Sequence, residues 1–356
     1  MTASESNNGH QSERESNSCL VSKPLISVII CTYNRADFLA DALETVCQQT
    51  LSALEYEVIV VDNNSSDETA SVCHSFAQRY ANVRGCFEPQ QGLSHARNRG
   101  WREAKGEYVG YIDDDCQVPA EWLSVAKEII ERVSPGVFGG PFFACYKTRK
   151  PTWFKDEYGS HIPHEQATRI EGTPGGLYGG NLFVARSLLE QVRGFNPQLG
   201  MVGQKMAYGE ETALVRAIYA MQPDTLIYYE PRLWLYHTVR AEKMSIRWLM
   251  RQRFTNARYM YRVAQKGPPQ IGAVGLLLRM VKTLWRLFLS VTVEAIFWKR
   301  TKFPYFQNYL YEHAFGHLSR LGLLYEQYHQ VTSPKNKEGN NAKSDDDAGA
   351  KHESKN

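Results

Sequence analysis

Long uncharged apolar runs are missing from this sequence, and so are paired cysteines and any large excess of charge. The most apolar stretch, residues 271–298, is broken by Arg279, Lys282, Arg286 and Glu294. A spanning helix needs about 20 mostly apolar residues, so none is expected here. The formal net charge is +3 over 356 residues, too small to imply a nucleic-acid binder. Lys and Arg thicken only from Arg232 to Lys302, a bias that suits anionic lipid or a diphosphate better than a long duplex. The seven cysteines (Cys19, Cys31, Cys47, Cys73, Cys86, Cys116 and Cys145) include no Cys-x-x-Cys pair. Their odd number, with no signal peptide ahead of them, leads to the expectation of free thiols in a reducing cytosol. No Gly-x-Ser-x-Gly motif occurs, which argues against a serine hydrolase. No Gly-Lys-Ser/Thr follows Gly175, Gly176, Gly179 and Gly180, so these glycines are not a phosphate loop of the ATPase kind. No internal repeat is evident.

Three adjacent carboxylates, Asp113, Asp114 and Asp115, stand out among what is present. They follow Tyr108-Val109-Gly110-Tyr111-Ile112, which reads as a strand. Like charges crowded at the end of a buried strand repel, and a divalent cation with a bound diphosphate would remove that cost. Mg²⁺ and Mn²⁺ take oxygen ligands and share them with substrate phosphates. The competing reading is a solvated acidic turn or helix cap.

The 43% of hydrophobic residues can bury a sizeable core, in one large domain with an appendage or in two domains. Strand-like runs at 25–31, 57–61, 83–87 and 108–112 alternate with helical spacing at 37–49, 67–80, 93–104 and 119–133. Such alternation predicts an α/β fold with a largely parallel sheet covered on both faces. Ligands bind beyond the carboxyl ends of such strands. Thr32 to Arg35, Asp62 to Ser66 and Asp113 to Asp115 all fall at those ends. From residue 137 the pattern loosens into strand-like pieces at 137–144, 181–185 and 225–229, with a helix expected at 211–221.

Residues 271–298 are the main puzzle. Arg279, Lys282 and Arg286 share one helix face, and the rest is Leu, Val, Phe and Trp. This is the pattern of a helix lying in a membrane interface; the alternative is a core helix of a C-terminal helical subdomain. Another aromatic-rich helical stretch follows at 304–328. The expected organisation is a disordered tail at 1–22, a domain at 23–240 with halves 23–135 and 136–240, a helical extension at 241–330, and a second disordered tail at 331–356.

Several fragments occur in a telling order. Val28-Ile29-Ile30-Cys31-Thr32-Tyr33-Asn34-Arg35 is followed by Val60-Val61-Asp62-Asn63-Asn64-Ser65-Ser66-Asp67. Then come Gly92-Leu93-Ser94-His95-Ala96-Arg97-Asn98-Arg99-Gly100, Tyr111-Ile112-Asp113-Asp114-Asp115, Gly179-Gly180-Asn181 and Gly209-Glu210-Glu211. Over residues 24–239 the chain resembles the family 2 glycosyltransferases. The resemblance implies a GT-A fold, a nucleotide-binding α/β sheet joined to an acceptor-binding half. It implies transfer of a sugar from a nucleotide-diphospho-sugar with inversion, using Mn²⁺ or Mg²⁺. Carried over by position, Thr32, Tyr33, Asn34 and Arg35 line the nucleotide pocket, and Asp62 holds the base or ribose with Asn64 in the same set. Arg97 sits near the donor, Asp113 and Asp114 contact nucleotide and sugar, and Asp115 coordinates the metal. His237 matches a position where some relatives supply a metal or diphosphate contact. Gly179, Gly180 and Asn181 leave open backbone for the acceptor.

The chemistry suits these residue types. Negative charge builds on the departing nucleoside diphosphate, and a metal bridging its phosphates stabilises it. The sugar becomes oxocarbenium-like. The acceptor hydroxyl attacks from the opposite face and must lose a proton to a carboxylate. Glu211 is the expected base and Glu210 the runner-up. Relatives more often carry Glu-Asp here, so this chain is longer by one methylene. An acidic first turn, favoured by the helix dipole, is the competing reading of both residues.

Met250-Arg251-Gln252-Arg253-Phe254 only partly matches the Gln-x-x-Arg-Trp motif of processive synthases, so addition of a single sugar is expected, with Arg251 and Arg253 as diphosphate or membrane contacts. His161 and His164 flank Pro163, but nothing supports a zinc site there. The resemblance implies a UDP-sugar as the default donor. It implies a hydroxyl acceptor that is lipid-linked or a saccharide of surface polysaccharide or glycolipid synthesis. The expected location is cytoplasmic, peripheral at the inner face of the membrane through 271–298. Two alternatives compete: a catalytically weak nucleotide-sugar-binding subunit of a membrane complex, and a nucleotidyltransferase. The second is opposed by the lack of a Gly-rich, Lys-containing loop after the first strand.

Overall fold

The computed structural model describes residues 23–333 except 172–175, 265, 266 and 268. The tail expected at 1–22 lies outside the described residues, as does all but the start of 331–356. In chain order the strands are β1 (Ile26–Thr32), β2 (Tyr56–Asp62), β3 (Val83–Phe87), β4 (Tyr108–Asp113), β5 (Cys116–Gln117), β6 (Val137–Gly139), β7 (Phe142–Cys145), β8 (Thr168–Arg169), β9 (Asn181–Ala185), β10 (Ile227–Tyr229) and β11 (Leu235–Thr238). The helices are α1 (Ala36–Cys47), α2 (Thr69–Arg79), α3 (Leu93–Glu103), α4 (Trp122–Val133), α5 (Arg186–Val192), α6 (Glu210–Met221), α7 (Ile246–Val263), α8 (Ala273–Val291), α9 (Val293–Ile296), α10 (Phe306–Tyr309) and α11 (Gly316–Thr332).

The main sheet runs β3-β2-β1-β4-β9-β6-β10-β8. Its first four strands are parallel, as the alternation of strands and helices predicts. β9 is inserted antiparallel between β4 and β6. A small second sheet, β5-β11-β7, stands beside it. Successive residues of β1 face opposite cores. Val28 and Ile30 pack with α1 and α4, and Ile29 packs against α3, α5 and α6. Burial on both faces is why these strands are continuously apolar. This is the GT-A architecture expected from the sequence.

The run at 137–144 is two strands, not one. Pro141 has no N–H for a ladder, and a Cβ on Gly140 would lie 2.0 Å from the Leu233 carbonyl oxygen. The chain therefore turns there and switches sheets.

A third core, around Phe154, Met244, Leu249, Ala314, Phe315 and Leu318, joins the C-terminal helices to the sheet layer. α7 and α11 cross closely at Gly322, where a Cβ would lie 2.2 Å from the Phe254 carbonyl oxygen. Residues 271–298 form α8 and α9, broken at Thr292. Among the described residues no helix is long and apolar enough to cross a membrane.

Candidate active site

Loops at the carboxyl ends of β1, β2 and β4 are tied to one another. Asn34 takes the left-handed region at φ 52°. Its Oδ1 accepts from Ser66 N at 2.7 Å, and its own N–H donates to Ser65 Oγ at 3.0 Å. Asp67 Oδ2 accepts from Ala36 N at 3.1 Å, at the start of α1. Asn63 donates to the carbonyls of Glu88 and Gln90 and accepts from Gly92 N. These loops border a cleft of about 1080 Å³, lined by Thr32, Tyr33, Asn34, Arg35, Asn63, Asp67, Asp113, Asp114, Asp115 and His237 among others.

Each carboxylate of the triad meets a different partner. Asp113 accepts from Arg97 Nη2 at 3.2 Å and from the Tyr178 hydroxyl at 2.8 Å. Asp114 accepts from Arg35 Nη1 at 2.8 Å. Asp115 has Lys243 Nζ at 3.4 Å, His237 Nε2 at 3.5 Å and Arg35 Nη1 at 3.7 Å. The repulsion that the sequence reading assigned to a divalent cation is thus already offset by three basic side chains of the chain itself. Burial pushes Asp114 up to about 6, against the pull of Arg35. Burial acts on Asp115 too, but Lys243, His237 and Arg35 outweigh it and hold this carboxyl well below the usual range. His237 is pushed down to about 4 by burial and by Lys243, so its ring is neutral near pH 7.

A carboxylate oxygen is a hard ligand that suits Mn²⁺ or Mg²⁺, and the neutral imidazole beside it is a second donor. Two donors on one such ion stand about 3 Å apart, from metal–oxygen distances of about 2.1 Å at right angles. The separation of Asp115 and His237 is close to that. Among the described residues no group of three or more His, Cys, Asp or Glu could hold a metal. An ion here would complete its shell with phosphate oxygens and water, which Mg²⁺-type sites commonly do.

The first turn of α6 does not itself line that cleft; it is tied to the cleft's Asp113 through Arg97. Gly209 precedes it at φ 90°, a conformation that L side chains rarely adopt. Glu210 is buried and accepts from Arg97 Nη1 at 2.9 Å. The same guanidinium therefore holds Asp113 and Glu210. Glu211 is half-buried and, among the described residues, has no salt bridge. Burial and the neighbouring Glu210 push it up to about 8, opposed by Arg97.

Asp62, Asn64, Gly179, Gly180 and Asn181 are not among the residues that line the cleft. Asp62 accepts from Ser65 N at 2.9 Å, and Asn64 takes φ 66°, so both shape the second loop. Cβ atoms on Gly179 and Gly180 would lie 2.9 Å from Arg97 Nη2 and 2.6 Å from Asp113 Oδ2. Bare backbone there lets the arginine and the aspartate approach. Asn181 is fully buried, accepting from Trp122 Nε1 and donating to the carbonyls of Pro141 and Leu233. Both amide hydrogens are used inside the core, which leaves none to give an acceptor.

Gln252, not Arg251 or Arg253, lines the cleft. Arg251 is exposed, and Arg253 lies over the Tyr311 ring at 4.4 Å. His161 binds the Gly176 carbonyl at 3.0 Å and His164 packs on Tyr229, so they form no ligand pair. Sequence reasoning missed Tyr178, Arg240 and Lys243, and the wall made by Phe142, Phe154, Tyr158, Trp248 and Leu249. The only signal for the two cations was the dense basic stretch that begins at Arg232.

Residues 27–193 match the family model described as Glycosyl transferase family 2. The chain carries a family 2 glycosyltransferase domain. A Haloferax volcanii protein named glucosyl-dolichyl phosphate glucuronosyltransferase is 28% identical over 217 residues, 57% of this chain and 66% of that relative. The chain thus spans just under two thirds of that relative's length. Two solved structures share the fold of the glycosyltransferase domain. The mannosyltransferase PcManGT of Pyrobaculum calidifontis, in complex with GDP-Man and Mn²⁺, superposes with TM-score 0.52 at 21% identity, covering 69% of this chain and 66% of its own. S. aureus TarS 1-349 in complex with UDP-GlcNAc superposes with TM-score 0.50 at 17% identity, covering 87% and 91%.

Proposed function

We propose that this chain is an inverting, metal-assisted glycosyltransferase that moves one sugar from a nucleoside-diphosphate sugar to a hydroxyl acceptor held at a membrane surface. The observation that carries the reading is the Arg97 fork. It joins Asp113, on the donor side, to Glu210, next to the candidate base. In this reading Asp115 and His237 hold the Mn²⁺ or Mg²⁺, which when bound offsets charge on the leaving diphosphate. Arg35 and Arg240 add positive charge on the same side of the cleft. Asp113 and Asp114 orient the sugar and nucleotide. Glu211 takes the proton from the attacking hydroxyl. Its raised proton affinity suits that task, because a base works best when its pKa lies near the working pH. Glu210 is committed to Arg97 and acts as a positioning residue.

The membrane part of the reading rests on α8. Leu276, Thr283 and Ser290 face inward. Val274, Leu278, Val281, Trp285 and Phe288 lie on the opposite side and are exposed, Leu278 by 67% and Trp285 by 59%. Arg279, Lys282 and Arg286 flank that stripe on one edge. Ile296 and Phe297 extend the apolar surface. The helix is thus both packed on its inner face and apolar on its outer one, a form suited to lying in a lipid interface with a basic edge toward anionic headgroups. The Haloferax relative's name describes a lipid-linked substrate, which agrees with an acceptor presented by a bilayer.

The test is donor binding and hydrolysis across a nucleotide-sugar panel, with and without Mn²⁺, beside Asp115→Ala and Glu211→Gln. The expected result is one nucleotide class bound only with metal, lost in Asp115→Ala, and bound without turnover in Glu211→Gln. Metal-independent binding in every case would remove the Asp115 assignment.

A further inference from the structure

Lys243 lies on the 3-10 turn Ala241–Met244, directly after β11. Its ammonium stands 3.4 Å from Asp115 Oδ2 and 3.2 Å from His237 Nε2. An ammonium donates and cannot accept, so it engages a carboxylate lone pair and the lone pair of the imidazole nitrogen. Those are the two donors that a divalent ion would take. The lysine is mostly buried, at 17% side-chain exposure, and the aspartate almost wholly so, at 4%. Arg35 lies 3.7 Å from the same carboxylate, and Arg240 lines the same cleft.

We infer that Lys243 is a resident counter-ion that competes with the divalent cation for Asp115 and His237. It yields that place only when a diphosphate arrives to receive the ammonium. This rests on the nucleotide-sugar reading of the site. The physical reason is charge balance. A dication added beside Lys243, Arg35 and Arg240 is repelled by all three. A diphosphate brought in with it supplies the missing negative charge. The long lysine stem lets the ammonium swing from the carboxylate to a phosphate oxygen without moving the backbone. Metal and donor therefore load together, and the free protein holds metal weakly.

The measurement is Mn²⁺ titration followed by electron paramagnetic resonance, without nucleotide and with saturating UDP or GDP, against protein-free nucleotide blanks. Wild type is expected to gain about tenfold or more in Mn²⁺ affinity when a nucleoside diphosphate is present, the size of one charged hydrogen bond exchanged. Lys243→Gln is expected to bind Mn²⁺ about tenfold tighter than wild type without nucleotide, and to gain less from adding it. Lys243→Arg keeps the charge and should behave like wild type. Adding Asp115→Ala to Lys243→Gln should abolish the tight site. Thermal melts of each variant establish that it is folded.

Equal Mn²⁺ affinity of wild type and Lys243→Gln without nucleotide overturns the inference. If wild type still binds nucleoside diphosphate with Mn²⁺ in that case, the transferase reading stands and only the exchange falls. If wild type binds neither together, both fall.

Discussion

Arg97 Nη1 and Glu210 Oε1 meet at 2.9 Å across 113 residues of sequence, and both side chains are buried. The other arm of the guanidinium holds Asp113. Removing it leaves two carboxylates without their counter-charge. Arg97→Met is expected to destabilise the protein by about 3–5 kcal/mol, read by urea unfolding. Arg97→Lys keeps the charge but not the fork, and should recover only part of that loss. Equal stability of all three proteins would show that the link carries no load.

Glu211→Gln should leave donor affinity within about twofold and lower kcat by about 10²–10⁴, the usual contribution of a general base. Isothermal titration and transfer assays separate the two. An equal loss in Glu210→Gln with Glu211→Gln near wild type would exchange the two roles.

The raised proton affinity of Glu211 gives a pH signature in both rate and stability. Because the base must be ionised, kcat should rise with pH and level off above about 8. Stability runs the other way. Folded Glu211 retains its proton up to about 8, whereas the unfolded residue loses it near the ordinary glutamate value of 4.5. The folded state therefore binds more protons between those values, and stability falls as pH rises through that window. Glu211→Gln should flatten that part of the unfolding profile.

Gly180→Ala would place a methyl group 2.6 Å from Asp113 Oδ2 and equally close to the Tyr178 ring. Overpacking of this kind costs about 1–3 kcal/mol. The displaced aspartate should also weaken donor binding, measured with the same nucleotide panel. Unchanged donor affinity would mean that Asp113 does not touch the donor.

Leu278→Glu with Trp285→Glu should abolish co-sedimentation with anionic vesicles while leaving the thermal melt unchanged, since both side chains point away from the core. Neutralising Arg279, Lys282 and Arg286 should cost roughly 100-fold in vesicle affinity, at about 1 kcal/mol for each basic residue. Binding that survives both sets of changes would place the contact elsewhere.

Much of the nucleotide half was legible in the sequence. Strands buried on both faces are continuously apolar, so β1, β2 and β4 could be read to within about a residue, and their carboxyl ends gave the cleft. β9 was harder. Its four apolar residues, Leu182 to Ala185, carry no sign of direction, and its antiparallel seat between β4 and β6 is decided by tertiary pairing. The far wall was not legible at all. Tyr158 and Trp248 come from distant segments with no motif, and only folding brings them to the cleft. Asn181 misled for the opposite reason. It follows two glycines in a recognisable order, yet its amide is used wholly inside the core.

Tyr158 lines the cleft and its hydroxyl bonds Glu312, while Asn308 donates to that hydroxyl and to the Trp153 carbonyl. These contacts make the C-terminal helices part of the pocket itself. If α8 rests on a bilayer, the cleft then stands at one fixed height above the lipid. The protein would act as a ruler, reaching only those hydroxyls that an anchored acceptor presents at that distance.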